Sequence, residues 1–256
     1  MSQMSGKRAL ITGGTRGLGK ALALQMARAN VRLALNYRRD EASAASALDE
    51  IRALSPLSFL IKADLENEDE ARAMVAKAAG DMGGLDIIIA NAAATAFKPL
   101  LVVKPYNLKR TFNLSVVGFV AAVQEASKHM AGGGRILVVS GVDSIRYLPG
   151  HGILAASKAA LESMVRYFAF ELGARGITVN GLNLGIVDTE SSRLYFGEDY
   201  ERSVRAAVER SALKRLPTLD EIAAVGFFLC SPAASFVTGQ TIMADGGLSI
   251  GSPTAP

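Results

Sequence analysis

The sequence predicts an α/β fold, a Rossmann-type doubly wound parallel sheet in a single domain, and three observations carry that expectation. Short apolar runs alternate with longer amphipathic segments along all 256 residues. A glycine-rich turn, Leu10-Ile-Thr-Gly-Gly-Thr-Arg-Gly-Leu-Gly-Lys20, joins the first apolar run to the first amphipathic one. No proline, glycine or charge-rich stretch divides the chain, so residues 1–256 read as one unit with flexible ends at 1–6 and 252–256. Strand-helix alternation of this kind covers a parallel sheet on both faces and collects ligands at the C-terminal strand edge, near the point where strand order reverses.

The first strand is expected at 8–12 and the first helix at 18–28. Between them Gly13 and Gly17 can take positive φ or let a ligand approach the backbone, while Gly19 removes a side chain where the helix packs on the sheet. Thr15, Arg16 and Leu18 complete the turn, and the amide-rich helix N-terminus behind it suits a dinucleotide pyrophosphate. The spacing Gly-x3-Gly-x-Gly differs from the commoner Gly-x-Gly-x2-Gly, and such turns also close ordinary strand-helix connections. Further strands are expected at 31–36, 58–63, 85–90, 135–140, 177–182 and 241–244. Helices are expected at 40–54, 68–82, 107–130, 155–172 and 219–229.

Composition narrows the function classes. Half the residues are hydrophobic and 20% are charged, which excludes disorder in the body of the chain. No apolar run reaches membrane-spanning length, and the run at 9–11 is too short for a secretory signal, so a cytoplasmic protein without membrane association is expected. Cys230 is the only cysteine, which rules out an internal disulfide and a cysteine-built metal site. Its neighbours, Phe227-Phe-Leu-Cys230, suit a buried helix position, and no metal is expected. The net charge of +4 is spread among acids with no set of stacking aromatics, so nucleic acid is not an expected partner.

Several segments at strand ends supply what a nicotinamide dinucleotide needs. Asp64-Leu65 offers a carboxylate to an adenine amino group. Asn91-Ala92-Ala93-Ala94 offers small residues against which a cofactor can lie. Asn113 falls in a long helix, Ser157-Lys158-Ala-Ala-Leu161 begins another, and Gly239-Gln-Thr-Ile-Met-Ala-Asp-Gly-Gly247 lies near the C-terminus. This ordered set resembles the short-chain dehydrogenase/reductase superfamily from Lys7 to Gly247. The resemblance implies a Rossmann-type domain that uses NAD or NADP, usually in dimers or tetramers. It also implies that Asn113 and Lys158 serve catalysis. Asn183-Leu-Gly-Ile-Val-Asp-Thr189 is similar to the family segment that holds the nicotinamide amide, with Leu184 where proline is usual; Gly185, Val187 and Thr189 are carried over from it.

Cofactor choice follows from the end of the second strand. An NAD-selective site places an acid there, whereas this chain has Asn36-Tyr37-Arg38-Arg39, with Arg16 in the glycine turn. Guanidinium groups match a ribose 2′-phosphate, so NADP(H) is the expected cofactor. The competing reading makes Arg38 and Arg39 a solvated turn.

The catalytic set departs from the family. A tyrosine four residues before the motif lysine usually supplies the proton, and here Leu154 stands at that place. The assisting serine aligns with Gly141, with Ser140 one residue early; alternation turns Ser140 to the opposite side unless a bulge restores it. Ser144-Ile-Arg-Tyr-Leu148 and His151, with the lysine segment after them, resemble the NADPH-dependent type III enoyl-acyl-carrier-protein reductases. In that branch the tyrosine lies seven residues before the lysine, and this chain has His151 there. Conjugate reduction of an enoyl thioester leaves a delocalised enolate less basic than an alkoxide, so hydrogen-bond donation can suffice. His151 is one candidate donor, against a solvated-loop reading because Gly150 and Gly152 argue against a regular helix; Tyr147 is the other, against simple packing on the loop.

Lys158, an ammonium early in a helix, is poorly placed for the helix dipole and is expected to find its use on the ribose hydroxyls, against the reading of a solvated helix charge. The segment 190–215 reads either as a substrate lid whose basic rim meets an acidic carrier protein or a coenzyme A phosphate, or as the wet side of an amphipathic helix. The wide apolar surface at 161–172, with Met164, Phe168 and Phe170, points to a homo-oligomer, tetramer or dimer, or to burial within one chain. The expected activity is NADPH-dependent reduction of an enoyl thioester, free or carrier-bound, as in fatty acid biosynthesis. A ketoreductase on an acyl or small carbonyl substrate is the nearest alternative, and a non-catalytic NADPH-binding protein the alternative of another class.

Overall fold

A computed structural model describes residues 3–251. Seven strands form one parallel sheet: β1 (Arg8–Ile11), β2 (Arg32–Tyr37), β3 (Phe59–Lys62), β4 (Ile87–Ala90), β5 (Gly134–Gly141), β6 (Ile177–Leu184) and β7 (Thr241–Ala244). Their order is β3-β2-β1-β4-β5-β6-β7, so strand order reverses between β1 and β4. The central strands are near-continuous apolar runs because both faces are covered, as Ile87, Ile88 and Ile89 in β4 show by being buried without alternation.

Helices α1 (Gly17–Arg28), α2 (Glu41–Arg52), α3 (Glu68–Met82), α4 (Pro105–Phe112), α5 (Gly118–His129), α6 (Gly152–Gly173), α7 (Glu190–Phe196), α8 (Tyr200–Arg210) and α9 (Leu219–Cys230) complete the fold. Asn67 caps α3 by accepting from the amides of Asp69 and Glu70, and Gly83 ends it in the left-handed region. One core joins α3, α5 and α6 to one sheet face, with Leu10, Ile88, Ile136 and Val138 pointing into it. The other packs α1 and α9 against Ile11, Ile89, Leu137 and Val139. The change from 138 to 139 is the period-two alternation of β5.

Four differences from the sequence reading have physical causes. The single helix expected at 107–130 is α4 and α5 joined through a π turn, Asn113–Val117; apolar periodicity runs through the extra residue and conceals it. α6 begins at Gly152 with His151 as its N-cap, against the irregular loop expected there. Its first glycine makes room for Leu100, whose side chain lies 2.6 Å from where a Cβ would stand. The segment after β6 folds into α7 and α8. Finally, of the expected flexible start 1–6, the described part is packed: Met4 is only 3% exposed in the α1 core, and the Gly6 amide donates to Asn30 O at 3.0 Å. The expected flexible end, 252–256, lies outside the described residues, as do 1 and 2.

Candidate active site

The glycine turn leaves β1 at the strand-order reversal and is braced from both neighbouring strands. Gly13 (φ 61°) and Gly17 (φ 51°) are left-handed. A Cβ on Gly19 would stand 2.1 Å from Gly13 O, so no larger residue fits without moving the turn. Asn91 Nδ2 donates to Thr12 O and Gly13 O, both at 3.1 Å, and Thr12 Oγ1 accepts from the amides of Asn91 and Ala92 at 3.0 Å. Thr15, Leu18 and Gly19 are buried beneath the turn, while Arg16 and Ala93 are exposed. Arg16 makes no side-chain cap and the first turn of α1 holds no acid, which leaves the leading amides free for an anion. Beyond β6, Thr189 comes within 3.7 Å of the open side of Gly17. Its hydroxyl accepts from Ser192 N at 3.1 Å as the α7 cap, beside buried Val187 and half-buried Gly185. Bare glycine backbone and unclaimed amides between β1 and β4 fit a pyrophosphate.

Asn36, expected to face the cofactor, is a brace instead. Its Oδ1 accepts from Gly13 N at 3.3 Å, and its Nδ2 lies within bonding reach of Tyr37 O, Ile61 O and Ala63 O. A buried amide at a strand end must satisfy its own polar atoms, and here it does so on backbone. Arg38 is half-buried against Glu66 at 2.7 Å and Asp64 at 3.6 Å, and Arg110 joins Glu66 at 2.7 Å. Asp64 and buried Leu65 therefore sit beside Tyr37 and Arg38, and acids already answer this guanidinium. Arg16 lies 3.5 Å from Glu190, both exposed. Arg39 is exposed and makes no ion pair among the described residues.

At the other end of the crevice, buried Lys158 on α6 donates from Nζ to Val139 O at 2.7 Å. Burial pushes its pKa down to about 8, and the charges of Asp143 and Glu162 only partly oppose this. Asn113 opens the π turn, whose Ser115 shares a small cavity with Lys158 and Thr12. Leu154 is half-buried at the usual tyrosine position.

Of two further expected donors, one is engaged by a carboxylate and the other points outward. Ser140 donates instead to Glu162 Oε1 at 2.6 Å, in a cluster with Ser144 and Asn183 at 2.8 and 2.7 Å from the same oxygen. The β5–β6 register runs unbroken through Ser140 and Gly141, so no bulge turns this serine. Tyr147 is 87% exposed and no hydrogen bond holds it among the described residues. Its loop position after β5 carries it outward.

His151 is drawn inward. Its side chain is 12% exposed, its Nδ1 is 3.0 Å from Asp143 Oδ2, and Phe97 and Tyr195 pack on its ring. Asp143 escaped the sequence reading altogether. The only hint was an acid two residues after the glycine that occupies the serine position. On α7 and α8, Arg193 pairs with Asp188 at 2.6 Å and Arg202 with Asp199 at 3.0 Å, and Arg215 pairs with Glu221 at 2.6 Å, so much of the expected basic rim is internally neutralised.

Residues 13–249 match a family model described as enoyl-(acyl carrier protein) reductase. A 1-cyclohexenylcarbonyl-CoA reductase of Streptomyces collinus is 36% identical over 95% of this chain and 87% of that protein. A hydroxynaphthalene reductase-like protein of Metarhizium brunneum is 33% identical over 95% of each chain. Among solved structures, a short-chain dehydrogenase of Burkholderia cenocepacia in complex with NADP superposes with a TM-score of 0.89 at 31% identity, covering 96% of this chain and 99% of that one. A short-chain dehydrogenase/reductase of Serratia marcescens gives 0.90 at 29% identity over 96% and 99%. This chain is a short-chain dehydrogenase/reductase, an oxidoreductase of the enoyl-(acyl carrier protein) reductase-like family.

Proposed function

We propose that this protein is a cytoplasmic, NADP(H)-dependent reductase of conjugated enoyl thioesters that works as a dimer or tetramer. The observation that carries the reading is a retained, buried Lys158 in a site whose tyrosine and serine positions hold Leu154 and Gly141. A ketone reduced there yields an alkoxide that must be protonated as it forms, and leucine offers no proton. An enoyl thioester yields a delocalised enolate, which hydrogen-bond donors can stabilise. The Streptomyces relative, named for a thioester with a ring double bond next to its carbonyl, supports that substrate class. The NADP-bound Burkholderia structure and the arginines at 16, 38 and 39 support the cofactor.

Within this reading the leading amides of α1, with Gly13, Thr15 and Gly17, hold the pyrophosphate. Arg16 and Arg39 meet the 2′-phosphate, for which Arg38 must exchange part of its contact with Glu66. Lys158 donates to ribose hydroxyls and so orients the nicotinamide, with Val187 and Thr189 at its amide. The bound nicotinamide supplies the hydride.

Purified protein incubated with NADPH and crotonyl or longer enoyl-CoA thioesters is expected to consume the nicotinamide absorbance. Binding of NADPH with no consumption at any chain length, beside an active control enzyme, would leave only a non-catalytic nucleotide-binding protein.

A further inference from the structure

Gly141 has no side chain, and a Cβ built there would stand 2.7 Å from Asp143 Oδ1. The carboxylate of Asp143 therefore fills the space a serine at 141 would need. Its other oxygen lies 3.0 Å from His151 Nδ1, with the Asp143 side chain buried and that of His151 12% exposed. A carboxylate accepts, so Nδ1 carries the proton and Nε2 is presented on the far side of the ring. Nε2 is buried and has no hydrogen-bond partner among the described residues. Phe97 and Tyr195 seal it, with ring centroids 4.9 and 4.2 Å from the imidazole, and Tyr195 is tied through its hydroxyl to Pro149 O. A buried polar atom without a partner costs stability and calls for a group that completes it.

We propose that Asp143 and His151 form the oxygen-binding and proton-donating pair of this site: Asp143 holds the Nδ1 proton and positions the ring, and Nε2, taking a second proton from solvent as the substrate enters, donates to the carbonyl oxygen of the enoyl thioester. The proposal rests on the reductase reading above. Displacing Tyr195 and Phe97 opens the nitrogen to substrate, and the Asp143 carboxylate balances the imidazolium that acts as acid. As the substrate β-carbon accepts a hydride from the reduced nicotinamide, the C=C pair moves toward the carbonyl and the carbonyl π pair to oxygen. The Nε2–H bond then breaks and its proton passes to that oxygen, giving an enol that rearranges to the saturated thioester. Neutral His151 regains its proton from solvent. One hydride and one proton have crossed the double bond.

The chain has two histidines, so nitrogen NMR on isotope-labelled histidine resolves His151 from His129. In the wild type His151 is expected to carry its proton on Nδ1, and its Nε2 resonance is expected to shift when the saturated analogue butyryl-CoA is added. Asp143→Asn is expected to remove that tautomer preference and lower kcat about a hundredfold, with NADPH affinity unchanged. His151→Phe keeps a ring between Phe97 and Tyr195 and is expected to lower kcat to a similar extent. Wild-type kcat in either variant, or an Nε2 resonance indifferent to the thioester, overturns the pair. Should the wild type reduce no enoyl thioester, the reductase reading fails separately. The resonance then decides the pair: movement on thioester addition keeps it as an oxygen-binding site, and none removes it.

Discussion

Lys158 carries a penalty that pH can relieve. Burial takes its pKa from 10.5 in the open chain to about 8 in the fold, so between those values the unfolded chain binds more protons than the folded one. Unfolding free energy therefore rises with pH across that window, and at neutral pH the buried charge costs on the order of 3 kcal/mol. Lys158→Met is expected to stabilise the protein near pH 7 by up to about that amount, with the gain fading toward pH 10, while abolishing turnover. Denaturant melts of parent and variant at both pH values check the sign. At this scale the sequence showed Lys158, Leu154 and Gly141 because each is a residue type at a fixed spacing. It could not show Asp143, whose role depends on the volume a glycine leaves open, and it misplaced Asn36, whose amide is consumed by neighbouring backbone.

Cys230 closes α9 on the apolar side of the sheet, and burial pushes its thiol up to about 12. A thiol that cannot ionise or meet solvent reports on its helix: an exposed-thiol reagent near pH 8 is expected to leave the native protein unlabelled and to label the denatured chain quickly. Equal rates in the two states would show that α9 does not pack as described. Helices such as α3 and α9 were legible from apolar spacing, and the structure adds caps such as Thr218 with Glu221. The segment holding α7 and α8 was not resolved into two helices. It is short, charge-rich, and organised by partners such as Asp188 and Asp199 that a periodicity count ignores.

For the molecule as a whole, alternation of strand and helix predicted the parallel sheet, whereas assembly lies on surfaces a single chain leaves uncovered. On α6, Met164 and Phe168 pack inward while Tyr167 and Phe170 point out, the latter 91% exposed. If this face joins subunits, Phe170→Glu will convert the wild-type oligomer to a smaller species with its secondary structure intact, as read by light scattering and circular dichroism. A wild type that is already monomeric rules that role out. The bracing of the glycine turn reaches further than its own residues. Thr12, Asn36 and Asn91 knot together β1, β2 and β4 where the two halves of the sheet diverge. The cradle is thus the keystone of the architecture: loosening it to accommodate a different ligand would unfasten the halves from one another, which leaves the rim, not the seat, as the ground on which specificity can drift.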